Sequence, residues 1–237
     1  MYEVKNYMIA LQSHWGINQP TFKAAKDSIP EIIEYASNGA KTKMPPTSLR
    51  KMAKRIFPDV FSFPLLRRQY CKMLMEEINH MKKEINFTVN EEENLERQIP
   101  EIVLAEHCPD LYSHFDIVVK TIINPMIICL WQRNSADIAS IQIANYNLQE
   151  KDQGAFHHDV DADVSVVVPL NTGDYKGGGT EFHNHGKIKP IPTGHALVFP
   201  SFNQFHRGLP IVGEGDRYLL VFWLYDRSRI EKLFHGS

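Results

Sequence analysis

The chain is poor in cysteine, carries no surplus of either charge and contains no long unbroken apolar run. Cys71, Cys108 and Cys129 are the only cysteines in 237 residues, and no two of them form a C-x-x-C pair. An odd, dispersed set argues against a disulfide framework and against a structural zinc knuckle. Free thiols suit a reducing compartment. The opening "MYEVKNYMIALQSHWG" lacks an apolar core followed by a small-residue cleavage site, so no secretory leader is expected there and a cytoplasmic protein is. Lys and Arg number 26 against 28 Asp and Glu, a net charge of -2. That balance gives no reason to expect nucleic acid or an anionic membrane surface as a partner. The unbroken apolar runs are shorter than a membrane span, so no transmembrane helix is expected either. Internal repeats and low-complexity tracts are also missing.

What is present is a hydrophobic fraction of 43%, enough for a real core. The pattern changes once along the chain. "DSIPEIIEYASNG" reads as a helix with Ser28 as N-cap, Glu31 completing a capping box, Pro30 in the first turn and Gly39 as the stop. "MPPTSLRKMAKRIFP" repeats the design, with Thr47 as cap and Pro58 as stop. Leu66, Tyr70, Leu74, Ile78 and Met81 recur at helical spacing and predict one apolar stripe. "TVNEEENLERQIPE" reads as a polar surface loop, and "PDLYSHFDIVVKTIINPMIICLW" as a helix interrupted or ended near Pro125. After about residue 137 the period becomes two. Ile141 and Ile143 share one face, as do Val164, Val166 and Val168. Short strands split by Gly and Pro continue to residue 225. Strands that do not alternate with helices predict an α+β chain with a mainly β core, a sandwich or jelly roll under a helical layer.

The segment "GAFHHDVDADVSVVVPL" carries the first chemical signal. If it is a strand, His157 and Asp159 project to one face and His158 to the other. Asp161 and Asp163 share the parity of Asp159 and remain candidates for a ligand swap. A third donor downstream is His206, in "FPSFNQFHRGLP". Two imidazoles and one carboxylate suit a non-heme Fe(II) centre that keeps coordination positions open. Arg217 follows eleven residues later, inside the apolar strand "DRYLLVFW". A buried guanidinium needs a partner, and its planar fork matches a carboxylate.

Taken together, "HHDVDADVSVVVPLNTGDYKGGGTEF", "GHALVFPSFNQFHRGLP" and "GDRYLLVFW" resemble the 2-oxoglutarate/Fe(II)-dependent dioxygenases. Within them the likeness is to the catalytic domains of procollagen lysyl hydroxylases and prolyl 4-hydroxylases, and to intracellular oxygenase-domain proteins of the same type. It runs over roughly residues 60–225. The resemblance implies a double-stranded β-helix, with an N-terminal helical extension over residues 1–56 and a dioxygenase domain over 57–237 (helices 64–132, β core 137–225). It implies His157, Asp159 and His206 as Fe(II) ligands, Arg217 as the 2-oxoglutarate anchor, and Tyr146 of "IANYN" as an aid in holding 2-oxoglutarate. O2 is the oxidant, and ascorbate a supporting reductant. The implied reaction hydroxylates an aliphatic C–H, most naturally of a lysyl or prolyl side chain, with release of succinate and CO2. The chain differs from the collagen enzymes in its missing secretory signal and missing glycosyltransferase domains, which shifts the expected substrate away from collagen.

Other readings stay open at this level. The same fold serves small-molecule oxygenases. Nucleic-acid demethylases of the superfamily carry a second arginine where this chain has Trp223. His183 and His185 of "FHNH" are also an i, i+2 pair, preceded by Gly177 at cupin spacing, and would define a cupin-like metal protein. Against that, Lys187, Ile188 and Lys189 stand where a cupin needs glutamate. Phe222 and Trp223 are expected in the core. Gly177–Gly179 is expected as a tight turn, and His107, His114 and His195 as structural. Substrate contacts are expected from residues 84–110 and 147–156.

Overall fold

The computed structural model describes residues 2–5, 16–38, 44–89, 98–133 and 136–226. Gly39 and most of the acidic stretch after Thr88 lie outside them. Two helices, α1 (Gln19–Asp27) and α2 (Ile29–Ser37), meet at Ser28. Ser28 makes no capping box. Its backbone is helical, its hydroxyl donates to the Ala24 carbonyl, and it accepts the Leu49 N–H. It therefore ties two helices to a third. That third helix, α3 (Ser48–Met52), is capped as expected, the Thr47 hydroxyl accepting from Arg50 N–H at 3.0 Å. It stops well before Pro58, because the chain turns into strands β1 (Lys54–Phe57) and β2 (Val60–Pro64).

Helix α4 (Arg68–Met81) buries Tyr70, Leu74, Ile78 and Met81 on the predicted stripe, while Leu66 precedes the helix and is also buried. Strand β3 (Glu101–Val103) then leads through α5 (Leu104–His107) into a long helical run. This is α6 (Pro109–Val118), a π-turn at Val119–Ile123, and α7 (Asn124–Trp131). Pro125 does not end it. The wide turn just ahead of α7 puts the proline in a first helical turn, where its missing N–H costs little. By length and composition Pro109–Trp131 could cross a membrane. A mostly buried core helix passes the same test of length and composition, so the expectation drawn from unbroken apolar runs is not contradicted by it. Here the helix packs Leu111, Phe115, Val118, Ile122 and Met126 into the protein core.

The β region follows the expected strands: β4 (Asp137–Tyr146), β5 (Val164–Pro169), β6 (Lys176–Gly177), β7 (Thr180–Phe182), β8 (Gly186–Ile188), β9 (His195–Pro200), β10 (His206–Gly208), β11 (Ile211–Val212) and β12 (Arg217–Tyr225). The major sheet has the order β1-β2-β9-β5-β12-β4-β3, with every pairing antiparallel. Three of its strands, β1 to β3, lie in the half of the chain expected to be helical. Smaller antiparallel sheets, β10-β7-β8 and β11-β6, complete the jelly roll. One face of the major sheet packs on the helices. Ile141, Ile143, Val164, Val166, Val168, Leu220 and Phe222 join the helical side chains there in one core cluster. Each such side chain contributes roughly 1.5–3 kcal/mol of hydrophobic stabilisation. The other face looks onto the candidate site.

Candidate metal centre and its cavity

His157 and Asp159 do not lie on a regular strand. His157 forms a single antiparallel bridge with His206, each N–H donating to the other's carbonyl at 2.9 Å. Asp159 then opens a turn, its carbonyl accepting Ala162 N–H at 3.2 Å, and β5 begins after it. The bridge brings the two imidazoles to a centroid separation of 4.6 Å. The turn swings the Asp159 carboxylate against both: Oδ1 lies 3.2 Å from His157 Nε2 and Oδ2 lies 3.9 Å from His206 Nε2. One ligand atom from each residue falls within 4.8 Å of the others, and no second such group exists among the described residues.

Each imidazole is fixed through its far nitrogen. His157 Nδ1 lies 2.9 Å from the Ala155 carbonyl, and His206 Nδ1 lies 2.9 Å from the Gln204 carbonyl. An Nδ1–H donor to a carbonyl leaves Nε2 with its lone pair free and aimed at the shared point. Asp159 accepts from the Ser165 hydroxyl, which is linked to the Ser201 hydroxyl at 2.8 Å. Phe182 and Phe199 pack on the His206 ring. Burial alone would raise the Asp159 pKa. When protonated, His206 and His157 supply charges, and His157 and Ser165 hydrogen bonds, that outweigh it and bring the carboxyl down to about 2. Burial lowers the pKa of His206 against the pull of Asp159. The outcome is an ionised carboxylate beside a neutral imidazole, the donor set that a divalent transition metal requires.

The triad opens on a cavity of about 190 Å³ between the sheets. Arg217 lines the same cavity and is 4% exposed. Its guanidinium carbon lies 4.8 Å from the ring centre of Tyr146, directly opposite it on β4. Arg217 Nε and Nη1 are buried and have no hydrogen-bond partner, and the residue forms no ion pair among the described residues. A cation–π contact is worth about 0.5–2 kcal/mol, less than the several kcal/mol that burying an uncompensated charge costs. The cavity wall is therefore built for an anion. Burial raises the pKa of the Tyr146 phenol, so this residue is a neutral donor beside the cation. Gly178 permits the arrangement: its φ is +71°, and a Cβ there would sit 2.9 Å from the Tyr175 ring and 3.4 Å from Arg217 Cδ.

Several expectations need correction. His158 was assigned to the opposite face, yet it lines the cavity and packs on Phe205. Parity fails because the turn at Asp159 ends the extended geometry. For the same reason Asp161 and Asp163 do not extend the ligand set. Asp161 lies at the cavity wall, and Asp163 accepts Asp226 N–H at 2.8 Å. Trp223 is not core. It lines the cavity with Arg217, Leu219 and Val221, its neighbours of equal parity on β12, whereas Phe222 is fully buried on the other face. His183 and His185 sit on the β7–β8 turn rather than on a strand, beside Phe156 and Phe57, away from the triad set. Of the two segments expected to meet substrate, the first supplies Gln98, Ile99 and Glu101 to the wall and the second supplies none.

Residues 141–225 match the family model of the 2OG-Fe(II) oxygenase superfamily. The rat protein "Multifunctional procollagen lysine hydroxylase and glycosyltransferase LH3" is 26% identical over 175 residues, which cover 69% of this chain and 23% of that protein. The chain thus spans about a quarter of the length of the curated relatives it matches. A prolyl hydroxylase from Trichoplax adhaerens, solved in complex with a hypoxia inducible factor peptide, superposes with a TM-score of 0.56 at 14% identity, covering 92% of this chain and 96% of that one. The carbocyclase SnoK of nogalamycin biosynthesis gives 0.55 at 11% identity, covering 85% and 86%. These two likenesses establish the jelly-roll fold.

Proposed function

We propose that this chain, whose residues 141–225 match the family model of the 2OG-Fe(II) oxygenase superfamily, is a 2-oxoglutarate-dependent dioxygenase that hydroxylates an aliphatic C–H of a peptidyl side chain. The observation that carries the reading is the buried, unpartnered Arg217 opening on the same cavity as the His157–Asp159–His206 cluster. Fe(II) fits the donor set of two fixed imidazoles and one carboxylate. His157 Nε2, His206 Nε2 and an Asp159 oxygen are its ligands in this reading. Fe(II) with 2-oxoglutarate supplies O2-dependent hydroxylation coupled to decarboxylation, giving succinate and CO2.

The chain's own residues do the rest. Arg217 and Tyr146 take the distal carboxylate and fix the co-substrate's direction. Phe182 and Phe199 wall His206 from water. Ser165 holds Asp159 in place. Glu101 and Asp161, together with Trp223, line the cavity. Two carboxylates and an indole favour a cationic side chain, so we favour lysyl over prolyl substrates. A cytoplasmic setting belongs to the same reading and rests on three buried cysteines without disulfides.

The test is succinate formation from 2-oxoglutarate with Fe(II) and O2, comparing wild type with Asp159→Ala. Succinate from wild type alone supports the reading. A silent wild type that also fails to bind 2-oxoglutarate anaerobically in its Fe(II) form ends it. Lysyl and prolyl peptides then compete for turnover, with gain of one oxygen read by mass spectrometry. Oxidation of neither would leave a small-molecule substrate.

A further inference from the structure

The two histidines of the triad share one local design. In Ala155-Phe156-His157 and in Gln204-Phe205-His206 the carbonyl two residues back lies at 2.9 Å from the ring Nδ1, and a phenylalanine stands between. The two segments meet through the single antiparallel bridge from His157 to His206, with Gly154 N–H donating to the Gly208 carbonyl at 3.1 Å nearby. Over so short a contact, register has to come from side chains. Around the bridge, residue 156 stands opposite 207, and 158 opposite 205. Planar groups fill all four positions. The Arg207 guanidinium carbon lies 4.6 Å from the ring centre of Phe156. Phe156 stacks on Phe205 at 5.4 Å and 25°, and Phe205 meets the His158 ring at 5.0 Å and 35°. At one end of this stack Glu181 holds Arg207 through Nε at 2.8 Å and Nη2 at 2.7 Å. At the other end His158 lines the triad cavity. His183 packs edge-on against both phenylalanines. None of these side chains belongs to the triad set.

We propose that Phe156 and Phe205 are positioning residues for the metal centre: their stack, closed by Arg207 and His158, sets the register of the bridge and with it the spacing of the two imidazoles. The proposal rests on the reading of the triad as an Fe(II) site and extends it from the ligands to what holds them. Without the ring contact each imidazole keeps its carbonyl anchor, but the two segments can tilt against each other. Asp159 is held separately by Ser165, so the loss falls on the pairing of the histidines.

The experiment is titration of the full chain with Co(II), read by calorimetry and by the visible absorption of the bound ion. Phe205→Leu keeps the apolar bulk and removes the flat ring, whereas Phe205→Tyr keeps the ring. Phe205→Leu should raise the Co(II) Kd about tenfold and alter the visible spectrum, which follows ligand geometry. Phe205→Tyr should stay within about twofold of wild type, with the wild-type spectrum. Phe222→Ala loosens the sheet from its other face. It should lower the melting temperature and leave the Kd and spectrum of the folded fraction unchanged. A Phe205→Leu chain with wild-type Kd and spectrum overturns the proposal. So does a Phe205→Tyr chain as weak as Phe205→Leu, or a Phe222→Ala chain that loses Co(II) equally, since stability alone would then explain the effect. If Phe205→Leu does not fold, Arg207→Gln at the end of the stack decides: a Kd about threefold higher supports the proposal, and an unchanged Kd overturns it. A wild type that binds no Co(II), or binds it no better than Asp159→Ala, instead ends the metal-centre reading itself.

Discussion

Strand β12 presents two faces of opposite character. Tyr218, Leu220, Phe222 and Leu224 point to the helices and are almost fully buried there. Arg217, Leu219, Val221 and Trp223 point into the cavity between the sheets. Backbone, neighbouring strands and hydrogen bonding are common to both sets, so the contrast is one of side chains and surroundings alone. The helix-facing side is optimised for packing. The cavity side accepts an unpartnered guanidinium, a costly arrangement that makes sense only with an anionic occupant. Stability and binding are therefore separated by residue parity on one strand.

Substitutions on the two faces should separate accordingly. Phe222→Ala, on the packing face, should lose about 3–5 kcal/mol of stability, read from urea unfolding, with unchanged 2-oxoglutarate affinity in the fraction that stays folded. A loss of affinity without loss of stability would break the comparison. Arg217→Met, on the cavity face, should do the reverse. Its melting temperature should stay level or rise, and 2-oxoglutarate affinity should fall about 100-fold, or roughly 3 kcal/mol. A large drop in melting temperature would mean that the guanidinium is structural.

The metal ligands sharpen the contrast through pH. The folded Asp159 pKa is about 2, below its ordinary value of 3.8. Its contribution to the stability of the metal-free protein is therefore full above the unfolded pKa and is lost as pH falls through the folded one. Between wild type and Asp159→Asn, the stability difference should shrink by about 2 kcal/mol on acidification from pH ~5 to pH ~2. A difference that does not change with pH would remove the proposed charge coupling to His206 and His157. The smallest effect is expected at a carboxylate of the cavity wall. Glu101→Gln should raise KM for a lysyl peptide about fivefold, an effect of roughly 1 kcal/mol, and leave succinate formation without peptide unchanged. Equal weakening of a neutral peptide would argue against a cationic substrate.

Much of this organisation can be read from sequence, for identifiable reasons. Alternation on β4, β5 and β12 fixes which residues share a face, and Ile141, Ile143, Val164, Val166 and Val168 are buried together as their spacing requires. The parity of Arg217 already groups Trp223 with the cavity, a signal the chain contains in spite of the apolar character of the indole. Strands β1 to β3 were hidden because short extended segments between helices have no alternation long enough to detect. His157 and Asp159 are a pair for a reason other than strand parity. A bridge to the distant His206 positions one and a turn positions the other.

The sequence by itself determined the two periodicities, the helical and β halves, and the presence of two histidines, an aspartate and an arginine at suggestive separations. Local side-chain pattern is enough for that, because a face is defined by spacing along one element. Only the tertiary structure decided that His206 pairs with His157 and that Nε and Nη1 of Arg217 lie buried without a hydrogen-bond partner on the wall of the same cavity. Those facts depend on contacts between segments far apart in the chain. Burial and the presence or absence of a hydrogen-bond partner are properties of the packed surroundings, and no single segment encodes them.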